Sequence, residues 1–149
     1  MSITAKDIQQ LRDLTGAGVM ECKKALEEAE GNIEEAVKIV HERGMVKVSK
    51  RSDREAGAGL IESYIHNERI GVLIDLRAET DFVVRSDDFK KLAKELAMQI
   101  AAVPAENIEE LLEQPYMRDD SKTIDSVIKE VAARVGENIK LKAFSRLEL

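Results

Sequence analysis

A change of hydrophobic period near residue 58 constrains the possible folds more than any other feature of this sequence. Before residue 44, apolar side chains recur at the three- and four-residue spacing of helices that bury one face. Two later runs, residues 60–66 and 70–78, are rich in Ile, Leu, Val and Tyr and are separated by three polar residues. Such a pair predicts a β-hairpin. A chain that is helical first and strand-forming afterwards is expected to be α+β.

Three short helices are predicted in the first 44 residues, each from its own start and stop signals. Thr4 and Asp7 have the spacing of a capping box for the first helix, and Asn32 is a suitable N-cap for the third. A glycine follows each predicted helix: Gly16, Gly31 and Gly44. These signals indicate a small three-helix module over residues 1–44.

The remainder predicts a small antiparallel three-stranded sheet packed with helices. Ser86 and Thr123 are suitable N-caps for two further helices, which end at Pro104 and Gly136. Residues 105–122 are acidic and irregular, which indicates a linker or a shortened insertion. The tail alternates and predicts the third strand, with one face made of Ile139, Leu141, Ala143, Ser145, Leu147 and Leu149. We therefore expect a cationic connector over residues 45–58 and an α+β core domain over residues 59–149.

Composition excludes several function classes. The net charge of −6 argues against a dedicated nucleic-acid binder, so we expect no direct nucleic-acid partner. The single cysteine, Cys22, excludes an intrachain disulfide and a thiolate metal cage. No apolar run approaches the ~20 residues of a membrane span, and the first residues lack a signal-peptide core. We expect a soluble, cytoplasmic protein without a membrane partner.

The sequence contains no recognisable catalytic constellation. Gly16 and Gly18 follow a predicted helix without a third glycine, and no phosphate-binding loop is present. The carboxylate pairs Asp87/Asp88 and Asp119/Asp120 lie near predicted helix starts, where they favour the helix dipole. Cys22, beside two lysines, is either a thiol of lowered pKa or a semi-buried helix residue. We expect no enzyme activity, cofactor or metal.

Phe82 is one of only five aromatic residues and lies in a predicted polar loop. Two interpretations are open at this point. Its ring either packs back beneath the hairpin or anchors a partner protein, with the carboxylate of Asp81 setting orientation.

Three motifs, in order along the chain, resemble those of the bacterial translation elongation factor Ts family. They are TGAGVMECKKAL at residues 15–26, ETDFV at residues 79–83 and GENI at residues 136–139. The likeness covers residues 2–103 and about 114–149. The order of the motifs over most of the chain makes the resemblance specific, whereas each motif alone would be weak.

The resemblance implies a guanine-nucleotide exchange factor for elongation factor Tu, in its GDP-bound and nucleotide-free forms. In the family, the Asp-Phe pair enters the GTPase domain of elongation factor Tu near the magnesium and nucleotide site. The N-terminal module, ubiquitin-associated-like in fold, also contacts that domain. The matching partner-binding positions here are Arg12, Val19, Met20, Thr80, Asp81, Phe82 and Val83.

This chain departs from the family pattern in two places. Val19 stands where the family usually has methionine, and residues 104–122 replace a longer portion of the long members. The chain resembles the short form, whose members act as dimers, so a homodimer is expected. A competing hypothesis is a ubiquitin-associated-like interaction module without exchange activity. A small nucleotide-binding enzyme is a further alternative, which the missing phosphate-binding loop disfavours.

Overall fold

Seven helices and five strands lie within residues 2–149, the part of the chain that the computed structural model describes. The helices are α1 (Ala5–Thr15), α2 (Val19–Glu28), α3 (Ile33–Arg51), α4 (Asp81–Val84), α5 (Asp87–Ala102), α6 (Ile108–Glu113) and α7 (Ile124–Val135). The strands are β1 (Ala58–His66), β2 (Ile70–Ala78), β3 (Pro115–Tyr116), β4 (Asp119–Thr123) and β5 (Lys140–Glu148). The predicted α+β class, with three helices before a small antiparallel sheet, is confirmed.

The chain divides into two compact units, one that ends at Lys50 and one that spans Arg51–Leu149. The proposed limits of the helical module, the connector and the core domain stay a prediction. None of the helices in residues 2–149 is both long and apolar enough to cross a bilayer.

The first unit has the predicted capping chemistry. The Thr4 hydroxyl accepts from the Asp7 amide at 3.2 Å, and the Asp7 carboxylate accepts from the Thr4 amide at 2.8 Å. Gly16 ends α1 with a φ of 72°, which glycine adopts without strain. The core of this unit is aliphatic and consists of Leu11, Cys22, Ala25, Leu26, Ala29, Ala36 and Val40.

The predicted end of the third helix at Gly44 is wrong, because α3 continues to Arg51. A glycine inside a helix costs only about 1 kcal/mol, which side-chain contacts can offset. Arg43 forms an ion pair with Glu28 of α2, and the Lys47 ammonium lies 3.1 Å from the Glu21 carboxylate. Residues 45–51 of the predicted connector are therefore helical.

The second unit is built on a three-stranded antiparallel sheet of order β1-β2-β5. β1 and β2 form the predicted hairpin, in a register that pairs Ala58 with Ala78 and His66 with Ile70. Helix α5 packs against β1 and β2. The inward side chains of the central strand, Val72, Ile74 and Leu76, are buried.

A β-bulge in the last strand reverses part of the predicted alternation. Asp75 pairs with Ala143 and Leu76 pairs with Leu141, which leaves Lys142 without a partner in β2. One extra residue moves every following side chain to the other face. Leu141 is therefore buried on one side of the bulge, whereas Leu147 beyond it is 80% exposed.

Beyond the bulge, the Arg146 side chain points inward and donates hydrogen bonds to the C-terminal end of α5. Its Nε donates to the carbonyl of Ile100 at 3.0 Å, and its Nη2 donates to that of Ala101 at 3.0 Å. These carbonyls belong to the last turn of α5, where no further helical amide can reach them. The cation thus holds the tail against the C-terminal end of α5.

The prediction that residues 105–122 are irregular is wrong, since they form α6 and most of a two-stranded β3–β4 sheet. Gln99, fully buried on α5, holds this segment. Its Nε2 donates to the carbonyl of Pro115 at 3.2 Å, and its Oε1 accepts from the amide of Met117 at 3.0 Å. Hydrogen bonds from this buried polar side chain therefore order residues 105–122, which the hydrophobic pattern of the sequence did not predict.

Candidate functional site

The second motif forms a single helical turn, α4, rather than the polar loop that was predicted. Thr80 is its N-cap in an extended conformation, and the hydroxyl accepts from the amide of Val83 at 3.4 Å. Successive side chains of a helix are rotated by about 100°, so the four residues of the turn are distributed around its axis. Val83 and Val84 are buried and fix the turn to the sheet, whereas Asp81 and Phe82 face outward.

The Phe82 side chain is 86% exposed. The interpretation in which its ring packs beneath the hairpin is therefore wrong. Burying a large aromatic ring is favourable, and an exposed ring can be buried only when another molecule covers it. Exposed aromatic residues are therefore typical anchors of protein–protein interfaces. Val83, the next residue, is only 5% exposed, so its predicted role in partner binding stays a prediction and its observed contacts are internal.

Glu137, just after the end of α7, holds Thr80, the N-cap residue of α4, in place. Glu137 follows Gly136, whose φ is 76°. Its Oε1 accepts from the Thr80 amide at 2.9 Å, and its Oε2 accepts from the Thr80 hydroxyl at 2.7 Å. The second and third sequence motifs therefore meet in space although 57 positions separate these two residues.

Asn138 adds a second set of contacts beside this one. Its amide donates to the Glu79 carboxylate at 2.8 Å, and its Nδ2 donates to the carbonyl of Arg54 at 2.7 Å and to that of Ser52 at 3.3 Å. The Arg54 guanidinium lies 3.7 Å from the other oxygen of Glu79. Three separate stretches of chain are thus tied together at the base of α4.

The other predicted partner-binding residues lie in the first unit. Arg12 is exposed in the last turn of α1, and Val19 and Met20 are the first two residues of α2. Val19 is 48% exposed and Met20 is 62% exposed. Two further apolar residues of this unit are exposed, Leu14 of α1 at 59% and Val46 of α3 at 54%.

A groove of about 690 Å³ runs between α2 and the C-terminal half of α3. Met20 and Val46 supply its apolar lining, and charged side chains surround them: Glu21, Lys24, Glu42, Arg43, Lys47 and Lys50. The groove exists because α3 continues past Gly44, a feature that the sequence analysis did not predict.

Side-chain chemistry in the described residues is sparse. Among residues 2–149, no cluster of three or more His, Cys, Asp or Glu side chains has the arrangement of a metal site. Cys22 is fully buried in the first unit, and burial raises the pKa of its thiol, which favours the interpretation as a structural residue. The α4 turn therefore presents an exposed apolar side chain, Phe82, next to hydrogen-bonded polar groups at Thr80.

Sequence reasoning did not assign a role to Glu137, Asn138 or Glu79, although all three lie in the quoted motifs. Their function in the structure is to hold one another and Thr80. Only the occurrence of an acidic residue directly after a helix-ending glycine was visible in the sequence, and that feature does not indicate a distant partner.

Comparisons with known proteins point to one family. The family model described as "Elongation factor TS" matches residues 79–149. Elongation factor Ts of Coprothermobacter proteolyticus is 43% identical over 195 aligned residues, which cover 100% of this chain and 99% of that protein. Elongation factor Ts of Nostoc sp. is 46% identical over 148 residues, 99% of this chain and 47% of that protein. Elongation factor Ts of Thermosipho melanesiensis is 39% identical over 188 residues, 95% of this chain and 96% of that protein.

Two of these alignments are longer than the 149-residue chain itself. The proteins from Coprothermobacter and Thermosipho therefore contain residues that have no counterpart here. The chain is shorter than these relatives while matching them along nearly all of its own length.

Proposed function

The chain belongs to the elongation factor Ts family, and we propose that it is a guanine-nucleotide exchange factor for elongation factor Tu. In this proposal it binds elongation factor Tu in the GDP-bound form, promotes the release of GDP, and remains bound to the nucleotide-free form until GTP returns. The observation that carries the proposal is the presentation of Phe82 on a turn whose other apolar residues are buried.

The proposed mechanism requires no covalent chemistry. An exchange factor must bind the nucleotide-free partner more tightly than the GDP-bound partner, and by linkage GDP weakens the factor as much as the factor weakens GDP. Insertion of Phe82 near the magnesium and nucleotide site would displace packed groups of elongation factor Tu and thereby weaken its contacts with GDP. The chain itself then needs no cofactor or metal and is not an enzyme.

The size of the effect can be bounded from the buried area. Complete burial of a phenylalanine side chain is worth about 1.5–3 kcal/mol, which corresponds to about ten- to a hundredfold in affinity. Larger acceleration must come from the rest of the interface. We assign a second contact to Arg12, Val19 and Met20, which present a cation and two exposed apolar side chains.

Asp81 and Thr80 have distinct roles in this proposal. The carboxylate of Asp81 is exposed beside Phe82 and would orient the turn or compete for polar groups around the partner's magnesium. Thr80 is already committed to internal hydrogen bonds, so it acts by shaping the turn. Val83 contributes by anchoring the same turn to the sheet.

We further propose a homodimer that forms through the uncovered face of the three-stranded sheet. The face opposite α5 carries exposed apolar side chains on all three strands: Ile61, Ile65, Leu73 and Leu147. An apolar face of this kind is typical of an interaction surface, and two such sheets can pack face to face. The proposed setting is the cytoplasm, with no direct nucleic-acid or membrane partner.

The experiment that tests the exchange function is stopped-flow release of a fluorescent GDP from elongation factor Tu. We expect the release rate to rise with the concentration of this chain and to saturate. Binding to elongation factor Tu without acceleration would support the ubiquitin-associated-like interaction module instead. No binding and no acceleration would contradict the proposal.

A further inference from the structure

We propose that Glu137 is a positioning residue for exchange, which acts through Thr80 to hold the turn that presents Phe82. The inference rests on the proposed function, because it concerns the same turn. It assigns a role to a half-buried residue of the third motif whose carboxylate is bonded within the chain.

The geometry forms a relay of three hydrogen bonds. Both Glu137 oxygens accept from Thr80, one from its amide at 2.9 Å and the other from its hydroxyl at 2.7 Å. Because that hydroxyl proton points to Glu137, its oxygen is free to accept from the Val83 amide at 3.4 Å. The carboxylate thus fixes the N-cap rotamer on which the first turn of α4 depends.

A turn of four residues cannot maintain itself. Helix nucleation is unfavourable, so an isolated segment as short as α4 does not remain helical without outside contacts. Val83 and Val84 supply such contacts at the C-terminal end of the turn. Glu137 supplies them at the N-terminal end, next to the exposed pair Asp81 and Phe82.

The position of Glu137 is itself fixed. It follows the glycine that ends the 12-residue helix α7, and the next residue, Asn138, is 7% exposed. Asn138 is held by the Glu79 carboxylate at 2.8 Å and by the carbonyl of Arg54 at 2.7 Å. The carboxylate therefore transmits the rigidity of α7 to the turn.

The consequence is a preorganised anchor. Binding by a flexible turn must first order it, and that cost is subtracted from the affinity gained by burying Phe82. Loss of the Glu137 contacts should therefore weaken exchange mainly through Phe82, which contributes most of the apolar surface that the turn presents. If Glu137 had only a structural role, its loss would also lower the free energy of unfolding. The resulting loss of exchange would then be the same with and without the Phe82 ring.

The test is a double-mutant cycle in the exchange assay, with Glu137→Ala, Phe82→Ala and both together. Glu137→Ala should lower the second-order rate constant of stimulated GDP release about three- to tenfold, the range expected for the loss of one or two hydrogen bonds. In the Phe82→Ala background the same change should have a much smaller effect, because only the contact of Asp81 then depends on the turn. Glu137→Gln keeps an acceptor for the Thr80 amide and should give an intermediate loss.

Glu113→Ala is the matched control, since Glu113 is an exposed glutamate at the end of α6, far along the chain from the relay. It should leave exchange unchanged. An equal loss from Glu137→Ala in both backgrounds, or no loss in either, would overturn the positioning role. Normal exchange by Phe82→Ala would instead overturn the insertion of Phe82, and failure of the unsubstituted chain to accelerate GDP release would overturn the exchange function itself.

A second measurement needs no partner. The chain contains no tryptophan, so Phe82→Trp places a single fluorescent reporter on the turn. Adding Glu137→Ala should lower the steady-state fluorescence anisotropy of this reporter while the far-ultraviolet circular dichroism is retained. Unchanged anisotropy in a folded protein would overturn the inference, whatever the exchange assay gives.

Discussion

At the scale of single residues, Phe82 and Val83 are chain neighbours in opposite environments. Phe82 is almost fully exposed, and Val83 is buried against the sheet. The helical turn between Asp81 and Val84 produces this contrast, because one turn of helix distributes four side chains around its axis. A loop without that turn would not separate an anchor from its support in this way.

Tyr116 gives a prediction at the same scale. Burial, together with the hydrogen bond from its hydroxyl to the Glu95 carboxylate at 2.8 Å, raises the pKa of Tyr116 from 10.0 to about 12. The folded state therefore holds the phenolic proton more tightly than the unfolded state does. This contribution to stability is complete below pH 10 and is lost as the pH rises from 10 towards 12.

The measurement is a spectrophotometric titration of tyrosinate in Tyr64→Phe, where Tyr116 is the remaining tyrosine. We expect its ionisation near pH 12, accompanied by a fall in the urea midpoint. In Tyr116→Phe, the fall in the urea midpoint between pH 10 and 12 should be smaller. Ionisation of Tyr116 near pH 10 in the folded protein would contradict this account.

At the scale of elements, Gln99 gives a prediction for the segment that contains α6, β3 and β4. Gln99→Leu retains the approximate volume but removes the partners of the Met117 amide and the Pro115 carbonyl. We expect a loss of about 1–3 kcal/mol in the free energy of unfolding, the cost of buried groups left without hydrogen bonds. Amide exchange at Met117 should also become faster.

Gln9→Leu is the control for this change. Gln9 is exposed on α1, and its Nε2 donates to Asp13, one turn further along the same helix. Its substitution should alter the free energy of unfolding by no more than about 0.5 kcal/mol. If both variants behaved alike, Gln99 would not be what holds the β3–β4 segment to α5.

The elements that could be predicted are those with local signals. The caps at Thr4, Ser86 and Thr123 each accept from an amide three residues later, as their spacing predicts. The hairpin has the predicted limits at its turn, between His66 and Ile70. In each case the determining interaction lies within a few residues along the chain.

The elements that could not be predicted depend on distant contacts. α3 passes Gly44 with ion pairs to α2, and residues 105–122 are ordered by a glutamine on α5. The bulge at Lys142 depends on how β5 pairs with β2, which alternation within β5 does not encode. The contact between Glu137 and Thr80 that supports the candidate site could not be predicted for the same reason, since the two residues are 57 positions apart. A rare aromatic residue in a polar segment is visible in the sequence, but whether the ring of Phe82 is buried or exposed could be settled only by the turn that carries it.

At the scale of the whole molecule, the open sheet face gives a prediction about assembly. We expect a dimer at tens of micromolar, detectable by light scattering, that Leu73→Lys converts to a monomer. Leu73 lies in the middle of the exposed face on the central strand, so a cation there would have to be desolvated in the dimer. Leu14→Lys, at an equally exposed leucine of the first unit, should leave the dimer intact.

Two results would contradict that interface. One is a monomeric wild-type protein at this concentration, and the other is a dimer that persists in Leu73→Lys. A disulfide cannot maintain the dimer through the last strand, because position 145 is serine and the single cysteine is buried in the first unit.

The measurement that tests the central claim most directly pairs stability with exchange in Phe82→Ala. The ring is exposed, so the free energy of unfolding should change by no more than about 0.5 kcal/mol, whereas Phe89→Ala in the core should cost about 3–5 kcal/mol. Stimulated release of GDP from elongation factor Tu should fall about ten- to a hundredfold, and Asp81→Ala should cost less. Normal GDP release by a folded Phe82→Ala protein would contradict the account.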